Sequence, residues 1–202
     1  MKEWEKAKKG YLYDANNDPE IIEDHLKCLE QCFELNNISP VDRKEREYRI
    51  KNILGKIGDG FDILSPFFCD FGKNIFIGNN FYANHNLSIL DGGKVTIGDH
   101  VFIAPNVVIT TAGHAIDPVQ RDKGLEIALP ITIGSHVWIG ANVSILPGVT
   151  IGNNVVIGAG AVVTKNIPDN IIAVGNPCKI LRFITVEDKY KYPVFEENKS
   201  KG

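Results

Sequence analysis

The 202-residue chain lacks the features that several functional classes require. It has no excess of basic charge: 22 Lys+Arg against 25 Asp+Glu leave a net charge of −3. Nucleic acid and anionic membrane surfaces are therefore not expected partners, because both need a basic face. It has no apolar run long enough to span a bilayer. The charged start "MKEWEKAKKG" has no apolar core behind it, so no signal peptide is expected and the expected compartment is the cytoplasm. Cysteine is scarce. Cys28, Cys32, Cys69 and Cys178 make no CxxC pair and no zinc pattern. They read as small buried apolar side chains in a reducing cell, with Cys28 and Cys32 four apart on one face of a helix. The five histidines form no compact triad, so no metal is expected.

What is present divides the chain in two. Residues 1–58 read as a helical region. In "Asn17-Asp18-Pro19-Glu20" the aspartate suits an N-cap, the proline the first helical position and the glutamate the first turn. Ile22, Leu26, Leu29 and Phe33 then follow the spacing of one helical face, which is expected to dock. Ser39-Pro40 marks a second start, for a helix through "DRKEREYRIKNIL" that stops near Gly55.

From about residue 75 a period of six takes over. Ile77, Ala83, Ile89, Ile97, Ile103, Ile109, Ile133, Ile139, Ile145, Ile151, Ile157 and Val163 are six apart, except for a step of eight after Ile89 and a gap of 24 after Ile109. Glycine often follows, and a second small or branched residue comes four places on, as at Val101, Val137 and Val155. Neither a helix nor a free-standing sheet has this period. A strict six predicts a β-helix solenoid spanning 59–182, in which three flat faces close each triangular coil and the isoleucines stack in one column. Glycine and asparagine at the corners suit turn conformations. Residues 183–202 are expected to be a polar helix or tail.

The gap holds "TTAGHAIDPVQRDKGLEIALPIT", residues 110–132, in place of four repeat units. A protruding loop near 111–131 is expected, and long loops in compact domains are commonly functional. His114 stands at its root. A neutral imidazole there suits a general base near pH 7, and the competing reading is an ordinary surface histidine. His100 and His136 fall at equivalent corners and are expected to face solvent, His25 lies on the N-terminal helix, and His85 stands beside Asn84.

The stretches "KKGYLYDANNDPE", "CDFGKNIFIGNNFYANHN", "IGDHVFIAPNVVITTAGHAID", "VWIGANVSILPGVTIGNNVVIGAGAVVTKNIP" and "GNPCKILR", in this order, carry a resemblance over roughly residues 1–183. The chain resembles the hexapeptide-repeat acyltransferases of the maltose and galactoside O-acetyltransferase branch. That resemblance implies a mainly β, left-handed parallel β-helix with an N-terminal helical cap. It implies a homotrimer with active sites between subunits, acetyl-CoA as donor and a sugar hydroxyl as acceptor. His114 matches the family's catalytic base and Asn84 a residue that stabilises the transition state. Asp14, Asp70 and Asp91 fall at or beside acceptor-contacting positions, and Glu126 lies where an acceptor-facing residue is expected. Trp138, Ala141, Ala159, Thr164, Lys165, Lys179 and Arg182 match coenzyme positions. Lys179 departs from the family's frequent arginine, which weakens fork-like phosphate contacts. "DGGK" after Leu90 leaves part of the acceptor pocket without side chains.

The chemistry agrees with these residues. Acetyl transfer to an alcohol needs a base, a holder for the oxyanion and two substrates held side by side. No cysteine or serine stands out as a nucleophile, so direct transfer is expected. The aspartates equally suit turns and caps, and the three cations suit solvated surface. Two other readings stand beside this one: transfer to another small acceptor (an antibiotic, amino acid or amino sugar), and a non-catalytic trimeric scaffold.

Overall fold

The computed structural model describes residues 1–194. Helix α1 (Glu3–Lys8) leads through a short strand, Tyr13–Asp14, to α2 (Pro19–Asn36) and α3 (Arg43–Ile53). Asp18 caps α2 by accepting the Ile21 N–H at 3.0 Å, with Pro19 in the first turn. Helix α3 begins later than Ser39-Pro40 suggests. Its cap is Asp42, which accepts the Glu45 N–H at 3.3 Å.

The docking face of α2 is not the one its hydropathy indicates. Ile22, Leu26, Leu29 and Phe33 are exposed, the last at 64%. Ile21, Cys28, Cys32 and Leu35 are buried instead. They also repeat at helical spacing, and their small thiols let the helix axis approach the first coil closely. Cys28, Cys32 and Leu35, together with Ile50, Ile53 and Leu54, join the solenoid column in one continuous apolar core, while Ile21 packs with Ala7, Tyr13 and Ala128 in a second, smaller cluster.

The solenoid is built as the period of six predicts. A first face stacks strands Lys56–Ile57, Ile75–Ile77, Val95–Ile97, Ile131–Ile133 and Thr150–Ile151. A second face stacks Asp62–Ile63, Tyr82–Ala83, Phe102–Ile103, Val137–Ile139, Val155–Ile157 and Ile171–Val174. A third stacks Phe67–Cys69, Leu87–Leu90, Val108–Thr110, Ser144–Ile145 and Val162–Val163. Pairing within each face is parallel and in register, for example Ile57 with Ile77 and Ile77 with Ile97. Every one of the twelve repeat positions is buried.

The corners separate two roles that the sequence merges. Asn80, Asn86, Asn106, Asn142, Asn154 and Asn170 have positive φ, and so do His100 (56°) and His136 (58°), which take the asparagine slot and stack ring on ring at 4.9 Å. The repeat glycines do not have positive φ. They are required by close approach: a Cβ on Gly78 would lie 2.8 Å from the backbone carbonyl carbon of Gly98 in the next coil. Side chains also run up one edge as a ladder. Asp59 N–H donates to Asn79, Asp99 N–H to Ser135, Ser135 N–H to Asn153 and Asn153 N–H to Asp169, at 2.7–3.0 Å.

The long insertion replaces no repeat units, which corrects the sequence expectation. Ile109 pairs with Ile89 on the third face and Ile133 with Ile97 on the first, so they are consecutive core positions. The step from one to the other is 24, of which an ordinary repeat accounts for six and the insertion for 18. Nor is the insertion irregular: Ala112–His114 and Leu125–Ala128 pair antiparallel around the short helix α4 (Pro118–Arg121), and Tyr13–Asp14 adds a third strand. After the sixth second-face strand the chain turns back as Lys179–Phe183, antiparallel, and makes a 3₁₀ helix at Val186–Tyr190. The rest of the expected C-terminal helix or tail, 195–202, lies outside the described residues.

Candidate active site

The corner from third face to first is the one that swells. It holds two extra residues in the first and second coils, at 70–74 and 91–94, and the 18-residue insertion in the third. The surplus backbone at this edge encloses a cavity of about 340 Å³. Tyr13, Asp70, His114 and Glu126 line it, with Asn16 and His25. The three-stranded sheet of the insertion sets three of these in a row. Glu126 sits on the middle strand, opposite Tyr13 on one side and His114 on the other. Cross-strand partners project to the same side, so all three share one face. The Tyr13 hydroxyl reaches Glu126 Oε2 at 3.5 Å. Its ring is buried, and burial with Glu126 and Asp70 nearby keeps the phenol protonated. His114 is exposed at the cavity rim.

Asp70 is pushed up to about 7 by burial, then by the charges of Asp91 and Glu126. Asp91 lies behind it, fully buried. It accepts the N–H groups of Asp70 (3.1 Å), Phe71 (2.9 Å) and Asn74 (3.3 Å). Burial raises its pKa and the N–H groups oppose the rise. Asp91 therefore holds the Asp70 corner and does not face the cavity. Asp14 is not brought to the cavity either. Its carboxylate closes the turn before α2 by accepting the N–H groups of Asn16 (3.2 Å) and Asn17 (3.0 Å). Gly92 lines the cavity in place of a side chain, as "DGGK" implied.

Asn84 is on a different edge. It follows the second-face strand Tyr82–Ala83, at the corner toward the third face. Its Oδ1 accepts the His85 N–H at 2.8 Å, which leaves the Nδ2 group as the amide's donor. The groove beside it is lined by Tyr82, Phe102, Ala104 and Trp138. Ala141 and Ala159 follow further strands of the same face, along the same edge. Thr164 and Lys165, by contrast, leave the third face at the His114 edge, two coils beyond it. Lys179 and Arg182 sit on the exposed terminal strand. The Arg182 guanidinium is already forked onto Asp188, at 2.6 and 2.7 Å. His85 bonds the Ser65 carbonyl and lines a separate cavity with Asn36, Arg46 and Ser65, away from His114.

Sequence reasoning missed Tyr13, Asn16 and His25. Tyr13 lies within a stretch that carries the family likeness, but its pairing with Glu126 across 113 residues has no local signal. His25 belongs to α2, which the sequence treats only as packing.

Comparisons with known proteins agree with this geometry. Residues 6–58 match the family described as maltose acetyltransferase hexapeptide capping motif, and residues 130–165 match bacterial transferase hexapeptide (six repeats). A Saccharomyces cerevisiae protein provisionally named an acetyltransferase is 55% identical over 179 residues, covering 89% of this chain and 91% of that one. The galactoside O-acetyltransferase of Escherichia coli K12 is 46% identical over 172 residues, 85% of each chain. A solved structure of galactoside acetyltransferase in complex with coenzyme A superposes with a TM-score of 0.90 at 41% identity, covering all of both chains. The match makes the solenoid a left-handed parallel β-helix. The chain belongs to the maltose and galactoside O-acetyltransferase family of hexapeptide-repeat transferases.

Proposed function

We propose that the protein transfers the acetyl group of acetyl-CoA directly to a sugar hydroxyl, with His114 as general base, in a cleft between two copies of a homotrimer. The observation that carries this reading is the split of the site. One edge of the prism holds His114, the acceptor cavity, Thr164 and Lys165; another holds Asn84, Trp138, Ala141 and Ala159. Neither edge suffices for acetyl transfer. A heterologous contact that lays one edge against the other completes the site, and three such contacts close a ring.

In the completed cleft the sugar sits in the cavity, where Asp70, Glu126 and Asn16 offer polar partners to its hydroxyls. A His114 ring nitrogen takes the hydroxyl proton as the oxygen attacks the thioester carbon. Asn84 Nδ2 of a neighbouring copy donates to the oxyanion. The carbon–sulfur bond then breaks, and the departing coenzyme thiolate takes the proton from His114. The pantetheine arm runs along the alanine-lined edge past Trp138, and Lys165 and Lys179 meet the phosphates. Acetyl-CoA as donor fits the cytoplasmic placement expected from the sequence, and no helix among the described residues is long and apolar enough to cross a membrane.

The test is release of coenzyme thiol from acetyl-CoA over a panel of glucose, maltose, a galactoside, an amino acid, an amino sugar and a hydroxylated antibiotic. Turnover is expected with the neutral sugars and is lost in His114→Ala. Turnover confined to amines, or acetylated enzyme formed without any acceptor, overturns the reading.

A further inference from the structure

Three of the four cysteines, none used in acetyl transfer, meet beneath the acceptor cavity. Cys28 and Cys32 come from successive turns on the buried face of α2, and Cys69 ends a third-face strand of the first coil, immediately before Asp70. The Cys69 Sγ lies 3.5 Å from that of Cys28 and 3.7 Å from that of Cys32. All three sulfurs lie within 4.8 Å of one another. They are free thiols, each at most 4% exposed. A circle through sulfurs at these separations has a radius of about 2.1–2.4 Å, the length of a metal–thiolate bond (~2.3 Å for zinc). A helix and a strand fix the triangle, so its ligands are already arranged.

The donor set points to the ion. Among the described residues no histidine or carboxylate joins the three sulfurs. A structural zinc ion takes four ligands, whereas three soft donors with no hard partner suit a soft cation in trigonal coordination. We propose that Cys28, Cys32 and Cys69 form a buried site for one soft monovalent cation, copper(I) in chemistry, which clamps the helical cap to the first coil. The ion takes no part in the transfer step. Its uptake displaces thiol protons and so weakens as pH falls.

The full chain, kept reduced, is titrated with copper(I) against a chromogenic copper(I) chelator. The expected result is one copper per chain, three sulfurs at about 2.2–2.3 Å by X-ray absorption, and a higher thermal midpoint, because the ion binds only the folded state. Cys32→Ala, with folding checked by circular dichroism, is expected to weaken binding by more than about 100-fold, since even outer-shell changes cost ~10–100-fold. Cys28→Ser gives a second test, should Cys32→Ala fold poorly. Cys178→Ser, far along the solenoid, is expected to bind as the parent does. The proposal is overturned by copper that the chelator removes without stoichiometric retention, by unchanged binding in Cys32→Ala and Cys28→Ser, or by zinc displacing copper(I). Two rather than four titratable thiols in the freshly isolated, denatured chain would also overturn it.

Discussion

Asp70 links burial to pH more directly than any other residue of the cavity. Its pKa in the folded chain, about 7, lies above the ordinary 3.8. The folded state therefore binds this proton more tightly than the unfolded state. The stability so contributed is complete below about pH 4 and is lost as pH rises through about 7. Asp70→Asn, which cannot ionise, is expected to match the parent's thermal midpoint near pH 4 and exceed it at pH 8; equal midpoints at pH 8 would remove Asp70 from the account. His114 is tested through rate. His114→Ala is expected to lower kcat by about 10²–10⁴ with an unchanged circular dichroism spectrum. The histidine was visible in sequence because a strict repeat breaks beside it. The state of Asp70 was not, because it depends first on burial in the closed corner and then on Asp91 folded behind it from the next coil.

At the scale of elements, α2 shows what a hydropathy pattern leaves open. The helix carries two stripes at helical spacing, and the more apolar one faces away from the core. Leu35→Ala is expected to cost about 2–5 kcal/mol, several times the cost of Leu26→Ala, in denaturant unfolding. A reversed order would return the docking face to the hydropathic stripe. The corners make the same point for glycine. In Gly152→Ala the new Cβ would lie 2.7 Å from the Asp169 backbone nitrogen, so a loss of about 1–3 kcal/mol is expected from overpacking. The period of six was legible because each buried position is set by its own repeat. The reason for each corner glycine was not, since it lies in the coil above.

At the scale of the whole molecule, the separation of His114 from Asn84 has a direct consequence. Asn84→Ala is expected to lower kcat by about 10²–10³ alone. Mixed by unfolding and reassembly, inactive His114→Ala and Asn84→Ala chains should recover about one quarter of parental activity, because a quarter of randomly formed clefts pair the intact halves. A mixture as inactive as its components would place both residues in one chain's site. The repeat sequence was sufficient for the coil, the inward column and the place where the chain leaves the prism, because those follow from local period and side-chain size. Which helix face docks, how the insertion turns Glu126 between Tyr13 and His114, and how three distant thiols meet depend on contacts between segments far apart in the chain. No local pattern encodes such contacts; they exist once the helical cap, the first coil and the insertion of the third coil lie against one another.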